Sequence, residues 1–511
     1  MRKEPSWLKN AIFYEIYPQS FYDTDGDGIG DLKGVIKKLD YVKSLGVNAI
    51  WLNPFYDSPF ADAGYDITDF YRVAPRYGTN DDFAELCREA HDRGIKVICD
   101  LVACHSSVEC EWFKKSSQSE KNEFTDRYVW CDDDNSQYEK LYRRDYERND
   151  RYLASFYDIQ PAFNYGFYEV REPWQLPIDA PQCLANRRAL RDIIDYWIGL
   201  GCDGYRVDMA GYVVKNDPEY IGTKQFWNEF RDYFDEKYPE CVLLPEWSRP
   251  HFSLDAGFHL DMFLSGGSLF RYELNEKGKH SYFRREGKGN RKFFTDDYVK
   301  WLEKANGKGY VSLITGDHDM HRLTDGRDNE EMKTIFAFLM TLPGTPMIYY
   351  GEEIGMRNVF NTETEGSNGR GCARTPMQWE DPAVSKNFGF STADTTYLRQ
   401  DQSADAPYVD GEENDESSLL NTVRTLTDLR HRTRALWADG GISFIGEQNY
   451  PMHYERSYGG ESVRVIINPS GDSYDVADGD AGDILYAHSV KRTADGFAVG
   501  GCGAVIYTVK K

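Results

Sequence analysis

Residues 184–208 read LANRRALRDIIDYWIGLGCDGYRVD, and this stretch decides the fold. Leu184–Leu200 is amphipathic at helical spacing and stops at Gly201. Gly204–Val207 then reads as a short buried strand, with Arg206 and Asp208 as the charged residues at its end. The same alternation runs outward in both directions. Strand-like runs recur at Ala11–Tyr17, Ala49–Leu52, Lys96–Val102, Val242–Leu244, Ala256–Met262, Tyr310–Ile314 and Met347–Tyr350. Amphipathic stretches lie between most of them, including Leu32–Leu45, Asp81–Arg93 with Asn80 as its expected N-cap, Thr223–Tyr238 and Glu330–Leu342. Eight strands with intervening helices predict an α/β fold, a (β/α)8 TIM barrel with its active site at the C-terminal ends of the strands.

Two regions break the alternation. Residues 105–172, after strand 3, are polar and aromatic with little helical period, and are too long for a plain βα loop. They predict an inserted subdomain, subdomain B, overhanging the barrel mouth. From about residue 437 to 511 the chain reads as short strands with Gly, Asp and Ser turns, which predicts a C-terminal antiparallel β domain, a β-sandwich. The catalytic barrel is then 1–104 and 173–436. The irregular stretch Gly355–Glu413 should form long loops at the same mouth.

Composition narrows the functions. The balance of 60 Lys+Arg against 84 Asp+Glu gives a net charge of −24 over 511 residues. Such a field repels nucleic acid and anionic membrane and suits neutral ligands or a cation. No segment approaches 18 uninterrupted apolar residues, so no membrane span is expected. The N-terminus has no signal-like apolar run, and the ten cysteines contain no C-x-x-C pair, which together predict a cytoplasmic protein. Aromatic residues make up 15%, as both a large core and a sugar-stacking cleft require.

Polar residues gather just beyond the predicted strand ends: Asp100 and His105 after strand 3, Arg206 and Asp208 at strand 4, Glu246 at strand 5, His318 and Asp319 after strand 7. One acid at a strand end is ordinarily a cap or a surface group. Several acids with two histidines and an arginine at one end of one barrel need pairing or a chemical role. Retaining cleavage of a glycoside uses such a set, a carboxylate nucleophile and a second carboxyl of raised pKa as acid and then base. Elsewhere, Asp23-Thr-Asp25-Gly-Asp27-Gly-Ile29-Gly-Asp31 places carboxylates at positions one, three, five and nine with the Ile29 carbonyl at seven. That is hard-cation spacing like the first part of an EF-hand loop, and it predicts one structural Ca²⁺; no organic cofactor is expected.

In these motifs, Asp100-Leu-Val-Ala-Cys-His105, Gly204-Tyr-Arg-Val-Asp208, Pro245-Glu246 and His318-Asp319, the sequence resembles glycoside hydrolase family 13, the α-amylase family, and most closely its oligo-1,6-glucosidase and α-glucosidase branch. The resemblance runs from about Trp7 into the C-terminal domain. It implies Asp208 as nucleophile, Glu246 as general acid/base and Asp319 as transition-state stabiliser. It implies that Arg206 keeps Asp208 ionised and that His105 and His318 bind sugar hydroxyls. The same branch carries the aspartate-rich run and binds Ca²⁺ there. Asp62-Ala-Gly-Tyr-Asp66 is similar to the loop that presents Asp62, Tyr65 and Asp66 to a terminal glucose, and Arg374-Thr-Pro-Met-Gln-Trp379 to the loop whose arginine pairs with Asp62. An Asp62–Arg374 pair would close the pocket behind one sugar. The implied function is a retaining, exo-acting α-glucosidase of short oligosaccharides, with a small α-glucoside as its partner.

The sequence departs from the branch at Gln160-Pro-Ala-Phe-Asn164 and at Met209, which follows the nucleophile where Val accompanies α-1,6 and Thr or Ala α-1,4 cleavage. Two alternatives use the same motifs. One is an α-glucosyl transferase or trehalose-synthase-like isomerase; the other is a non-catalytic carbohydrate-binding homologue, against which three intact carboxylates argue.

Overall fold

In the computed structural model, which describes residues 2–262, 281–305 and 307–510, each strand-like run pairs with its neighbours. The strands are β1 Phe13–Ile16, β2 Ala49–Leu52, β3 Lys96–Val102, β4 Gly204–Asp208, β5 Val242–Pro245, β6 Leu260–Met262, β7 Tyr310–Ile314 and β8 Thr345–Tyr349. They are parallel and ordered β5-β4-β3-β2-β1-β8-β7-β6, which is chain order around a circle. The circle is a TIM barrel with one weak seam, between β5 and β6. Two side chains close it. His259 donates its N–H to the Leu243 carbonyl (3.1 Å) and accepts the Leu243 N–H on Nδ1 (3.0 Å). Asp261 accepts the N–H groups of Ser248 and Arg249 at 3.1 and 2.8 Å. Burial pushes the Asp261 carboxyl up to about 7.

Strand parity sorts the interior into layers. Phe13, Ala49, Ile98, Val242, Leu260 and Met347 share one apolar cluster inside the barrel. Two residues further along three of the strands the inward positions turn polar: Glu15 after Phe13, Asp100 after Ile98, Arg206 after Gly204. Register sets Asp100 beside Arg206 on adjacent strands. The outward positions Tyr205, Val207, Leu243 and Leu313 join the main core under the helices.

The helices follow the sequence signals with two differences. The stretch Leu32–Leu45 divides at Lys38 into the helices Leu32–Lys37 and Leu39–Ser44. Thr79, not Asn80, caps the helix Asn80–Asp92: its hydroxyl accepts the Asp82 N–H, and the Asp82 carboxylate accepts the Thr79 N–H. Asn80 instead accepts the Val73 N–H and donates to the Tyr71 carbonyl. A capping box satisfies two amide donors at once, so it wins over a single asparagine cap. Among the described residues, no helix is long and apolar enough to cross a membrane.

Residues 105–172 carry a small antiparallel sheet of Trp130–Cys131, Arg151–Leu153 and Leu141–Tyr142. Phe113 stacks on Trp130 (5.4 Å between centroids) and anchors this layer. The Phe163 N–H donates to the Cys104 carbonyl, which ties the layer to the barrel mouth. After the last barrel helix, Leu419–Arg432, come β9 Gly441–Phe444, β10 Met452–Tyr458, β11 Glu461–Asn468, β12 Tyr474–Ala477, β13 Ala481–Arg492 and β14 Gly496–Val509. Where a sandwich of two sheets is expected, the six strands form one hydrogen-bonded antiparallel sheet. The physical reason is β14, whose 14 residues are long enough to pair with β11, β12 and β13 in turn. Its two faces still divide as a sandwich would: Val463, Val465 and Ile506 pack toward the barrel, and Ile466, Phe497 and Tyr507 form a core of their own.

Arg456 of β10 fastens this sheet to the barrel. It is fully buried and donates to the carbonyls of Thr341, Trp437 (2.8 Å), Gly440 (3.2 Å) and Gly441 (3.0 Å). Arg456→Met should leave those carbonyls unsatisfied and cost about 3–5 kcal/mol. The check is the midpoint of chemical denaturation; a loss below about 1 kcal/mol would show that the clamp is dispensable.

Candidate active site

Arg206 is the centre of the polar layer. Its neighbours Tyr205 and Val207 face the helices, so parity drives Arg206 and Asp208 inward. The guanidinium is fully buried and contacts three carboxylates. Nη1 lies 2.6 Å from Asp100 and 2.9 Å from Asp208, and Nη2 lies 2.9 Å from Glu246. Asp100 also accepts from Trp51 Nε1 (2.8 Å) and the Tyr65 hydroxyl (3.2 Å). Burial raises Asp100 to about 6 despite Arg206. Burial also raises Asp208, the charge of Glu246 raises it further, and Arg206 opposes both. Asp208 and Glu246 thus hold the two Nη atoms of one guanidinium, each at 2.9 Å. Met209, next along, adopts a left-handed backbone (φ 46°), and its N–H donates to Glu246 at 3.1 Å. A non-glycine residue in that region stores strain. Here it accompanies an amide that fixes the second acid.

Asp319 forms the opposite wall. Its Oδ1 accepts from Arg370 Nη1 (2.7 Å) and Arg374 Nη2 (2.8 Å), and one third of its side chain is open to the cleft. Burial works against its ionisation, but the guanidinium groups of Arg374, Arg370 and Arg206 override this and hold the carboxyl well below the usual range. His105 is buried and held neutral by burial, its pKa lowered to about 3. Its Nε2 meets the Tyr65 carbonyl at 3.2 Å, while Nδ1 has no protein partner among the described residues.

Two expectations about the pocket need correction. Arg374 does not meet Asp62: it is fully buried, donates Nε to the His318 carbonyl (2.7 Å), and spends Nη2 on Asp319. Arg370 takes that place, with Nη2 at 2.8 Å from Asp62 and Nη1 on Asp319, and Gln160 holds the other Asp62 oxygen at 2.7 Å. Asp66 does not face a sugar. Its carboxylate is fully buried and accepts the N–H groups of Ala61 (2.9 Å) and Asp62 (3.0 Å) and the Ser58 hydroxyl, so it shapes the loop that carries Asp62. Tyr65 lies in the same loop but stacks on His318 (5.5 Å, 11°), with its hydroxyl 3.0 Å from His318 Nε2.

In the aspartate-rich loop, one oxygen from each of Asp23, Asp25 and Asp27 lies within 4.8 Å of the others, a set that fits a hard cation. Asp31 does not join them. Its oxygens accept from Gly34 N–H (2.7 Å), capping the helix Leu32–Lys37, and from the N–H and hydroxyl of Thr24. Ile29 donates its N–H to Asp27 at 2.8 Å.

Sequence reasoning missed Glu15, Asn53, Trp51, Arg370 and the contact made by Gln160. Glu15 had a signal: it is the one charged residue in the strand Phe13–Ile16. It is fully buried; Oε1 lies 2.8 Å from His318 Nδ1, and Asn53 Nδ2 lies 3.1 and 3.0 Å from those two atoms. Burial, reinforced by Asp317, pushes Glu15 well above the usual range, and burial drives His318 well below its own. Every donor then meets an acceptor in one arrangement: protonated Glu15 donates to Nδ1, Nε2–H donates to the Tyr65 oxygen, and Tyr65 donates to Asp100.

A parallel barrel that gathers buried carboxylates around an arginine at its strand ends has the layout of a glycoside-cleaving enzyme. The chain belongs to the α-amylase family of glycoside hydrolases: the model described as "Alpha amylase, catalytic domain" matches residues 15–439. The chain is 31% identical to the oligo-1,6-glucosidase of Parageobacillus thermoglucosidasius, covering 91% of each chain. It is 32% identical to the trehalose synthase/amylase TreS of Mycobacterium tuberculosis, covering 91% of this chain and 82% of that protein. Among solved structures, the α-glucosyl transfer enzyme XgtA superimposes with a TM-score of 0.82 at 25% identity, covering 99% of both chains. A variant of trehalulose synthase MutB gives 0.83 at 27% identity, covering 99% of this chain and all of the other.

The Glu15 contact is testable on any simple α-glucoside. Glu15→Leu should lower kcat/KM by about tenfold or more, because His318 loses the partner that fixes its tautomer; Glu15→Gln, which keeps a hydrogen bond to Nδ1, should lose far less. Equal losses in both variants would show that the carboxyl proton is irrelevant.

Proposed function

We propose that the protein is a retaining, exo-acting α-glucosidase that removes terminal α-glucosyl units from short saccharides. One observation carries the reading: Asp208 and Glu246 each hold one Nη of a single guanidinium at 2.9 Å, which sets the two carboxyls side by side and suits direct attack on the sugar rather than a water held between two distant acids. In the first half-reaction Asp208 attacks the anomeric carbon while Glu246 gives its proton to the departing oxygen. In the second, Glu246 takes a proton from water, which releases glucose from Asp208. Asp319, held ionised, faces the positive charge that develops on the ring. The Asp62–Arg370–Asp319 chain supports a pocket closed behind one sugar, and it is Arg370 rather than Arg374 that bridges it.

Glucosyl transfer or isomerisation is the second reading. It is favoured by a cleft of about 1070 Å³ that continues beyond Glu246 past Met209, Tyr212, Trp247 and Trp301, enough for an acceptor sugar. We also propose that Asp23, Asp25 and Asp27 hold one Ca²⁺, whose part would be to brace the loop between β1 and the helix Leu32–Lys37. All ten cysteines are free, which suits a reducing compartment, and on that ground we assign the enzyme to the cytoplasm.

Asp208→Ala should lower kcat on maltose and isomaltose by at least about a thousandfold. Activity within about tenfold of wild type would remove Asp208 from the nucleophile role. On reducing-end-labelled maltoheptaose the first products should be unlabelled glucose and a chain one unit shorter, with the glucose released as the α-anomer. Early internal cuts would point to an open cleft, and isomeric disaccharides to transfer.

Calcium should raise the melting temperature and chelator lower it, because the ion binds only the folded loop. Asp25→Ala should abolish that difference while leaving turnover nearly intact. A melting temperature indifferent to both reagents would make the loop a plain turn.

A further inference from the structure

The cleft beyond Glu246 carries charges that the glucosyl pocket does not use. Its wall includes Lys140 and Lys215, and the described residues offer neither ammonium a carboxylate within ion-pair distance. Lys215 is half-buried and donates to a single backbone carbonyl, that of Tyr212, at 2.6 Å. Lys140 donates to one carbonyl as well, that of Ser155, at 2.7 Å. Burial lowers the Lys215 pKa, and Lys140 lines the same cleft. Arg249, on the far wall, donates to the Tyr220 hydroxyl at 3.1 Å. Glu139 and Asp217 share the cleft lining, but among the described residues neither comes within ion-pair distance of Lys140 or Lys215, and Asp217 accepts the N–H groups of Ile221 and Thr223, both at 2.7 Å.

This arrangement is costly as it stands. Lys215, half-buried with one carbonyl as its hydrogen-bond partner, lacks the counter-charge that would stabilise it, and the exposed Lys140 adds a second ammonium without a carboxylate to the same cleft. It also runs against the chain's net charge of −24, which supplies carboxylates nearly everywhere else. A neutral sugar would meet Lys140 and Lys215 through its hydroxyls alone. An anion would neutralise both and form charge-assisted hydrogen bonds.

We propose that the leaving-group side of the cleft is built for an anionic aglycone, an α-glucoside or acceptor whose non-glucosyl part bears a carboxylate or phosphomonoester seated between Lys140 and Lys215. This rests on the α-glucosidase reading above and names its substrate class. The bond cleaved and the roles of Asp208 and Glu246 are unchanged; the lysines act on binding and on the choice of leaving group.

The test uses the full-length enzyme and two matched pairs of substrates. In the first, 2-O-α-glucosylglycerate is compared with 2-O-α-glucosylglycerol; in the second, maltose phosphorylated on the reducing glucose is compared with maltose. Wild type should favour the anionic member of at least one pair by about tenfold or more in kcat/KM, and added salt should shrink that ratio. The pair that responds identifies the anion as carboxylate or phosphate. In Lys140→Ala/Lys215→Met the ratio should fall to near one, and Lys140→Ala alone, at an exposed position, should lower it partway without risk to the fold. A wild-type ratio of one or less in both pairs, or a ratio the double variant leaves unchanged, would overturn the proposal. Turnover of p-nitrophenyl α-glucoside separates the two levels. If wild type cleaves it without preferring anions, only this proposal falls; if wild type cleaves no α-glucoside, the glucosidase reading falls and takes this one with it.

Discussion

One guanidinium orders the site. Arg206 sits where strand parity points a side chain into the barrel at the level where the packing turns from apolar to polar. Its five donors allow it to bind several carboxylates at once, which a lysine in the same place could not do with fixed geometry. Asp100, Asp208 and Glu246 come from three successive strands, and each would repel the others without the arginine between them. Three acids against one base leave an excess of negative charge in a buried space, which favours retention of a proton at neutral pH. General-acid catalysis requires a proton held in that way.

Asp319 lies on the other side of the pocket under a different regime. Arg370 and Arg374 both contact its Oδ1, and the acid stays ionised. The two walls of the pocket are therefore set apart electrostatically: Asp208 is biased toward keeping a proton, and Asp319 presents fixed negative charge to the cleft. His318 bridges them, with Glu15 and Asn53 behind it and Tyr65 in front.

Much of this was legible in the sequence, and the limits have physical causes. The strands and helices could be read because hydrophobic period and Gly or Pro stops are local signals. Asp208, Glu246 and Asp319 could be read because charge at successive strand ends is rare without a reason. What failed was side-chain direction within irregular loops. Arg370 and Arg374 lie four residues apart in a segment with no period, so nothing in the chain says which of them reaches Asp62. Asp31 looks like a ligand by spacing and Asp66 like a sugar contact by resemblance, yet a carboxylate beside unpaired amides binds those first, as Asx turns and N-caps do. Glu15 was overlooked for the opposite reason: it lies in a strand that was read only for its hydrophobicity.

The pairing of β1 with β8 sets a schedule for synthesis. Phe13 lies opposite Met347, so the ladder joins residues 334 positions apart (347 − 13). At a synthesis rate of roughly 5–20 residues per second, β1 waits about 15–70 s on the ribosome before its second neighbour exists. During that interval one edge of β1 is an unpaired apolar strand, and the half-built sheet β1–β5 presents it to whatever is near. The C-terminal sheet emerges later still, so the Arg456 clamp cannot form until after β8 has been made. For this chain, the hazardous moment in folding belongs to its first strand and not to its last.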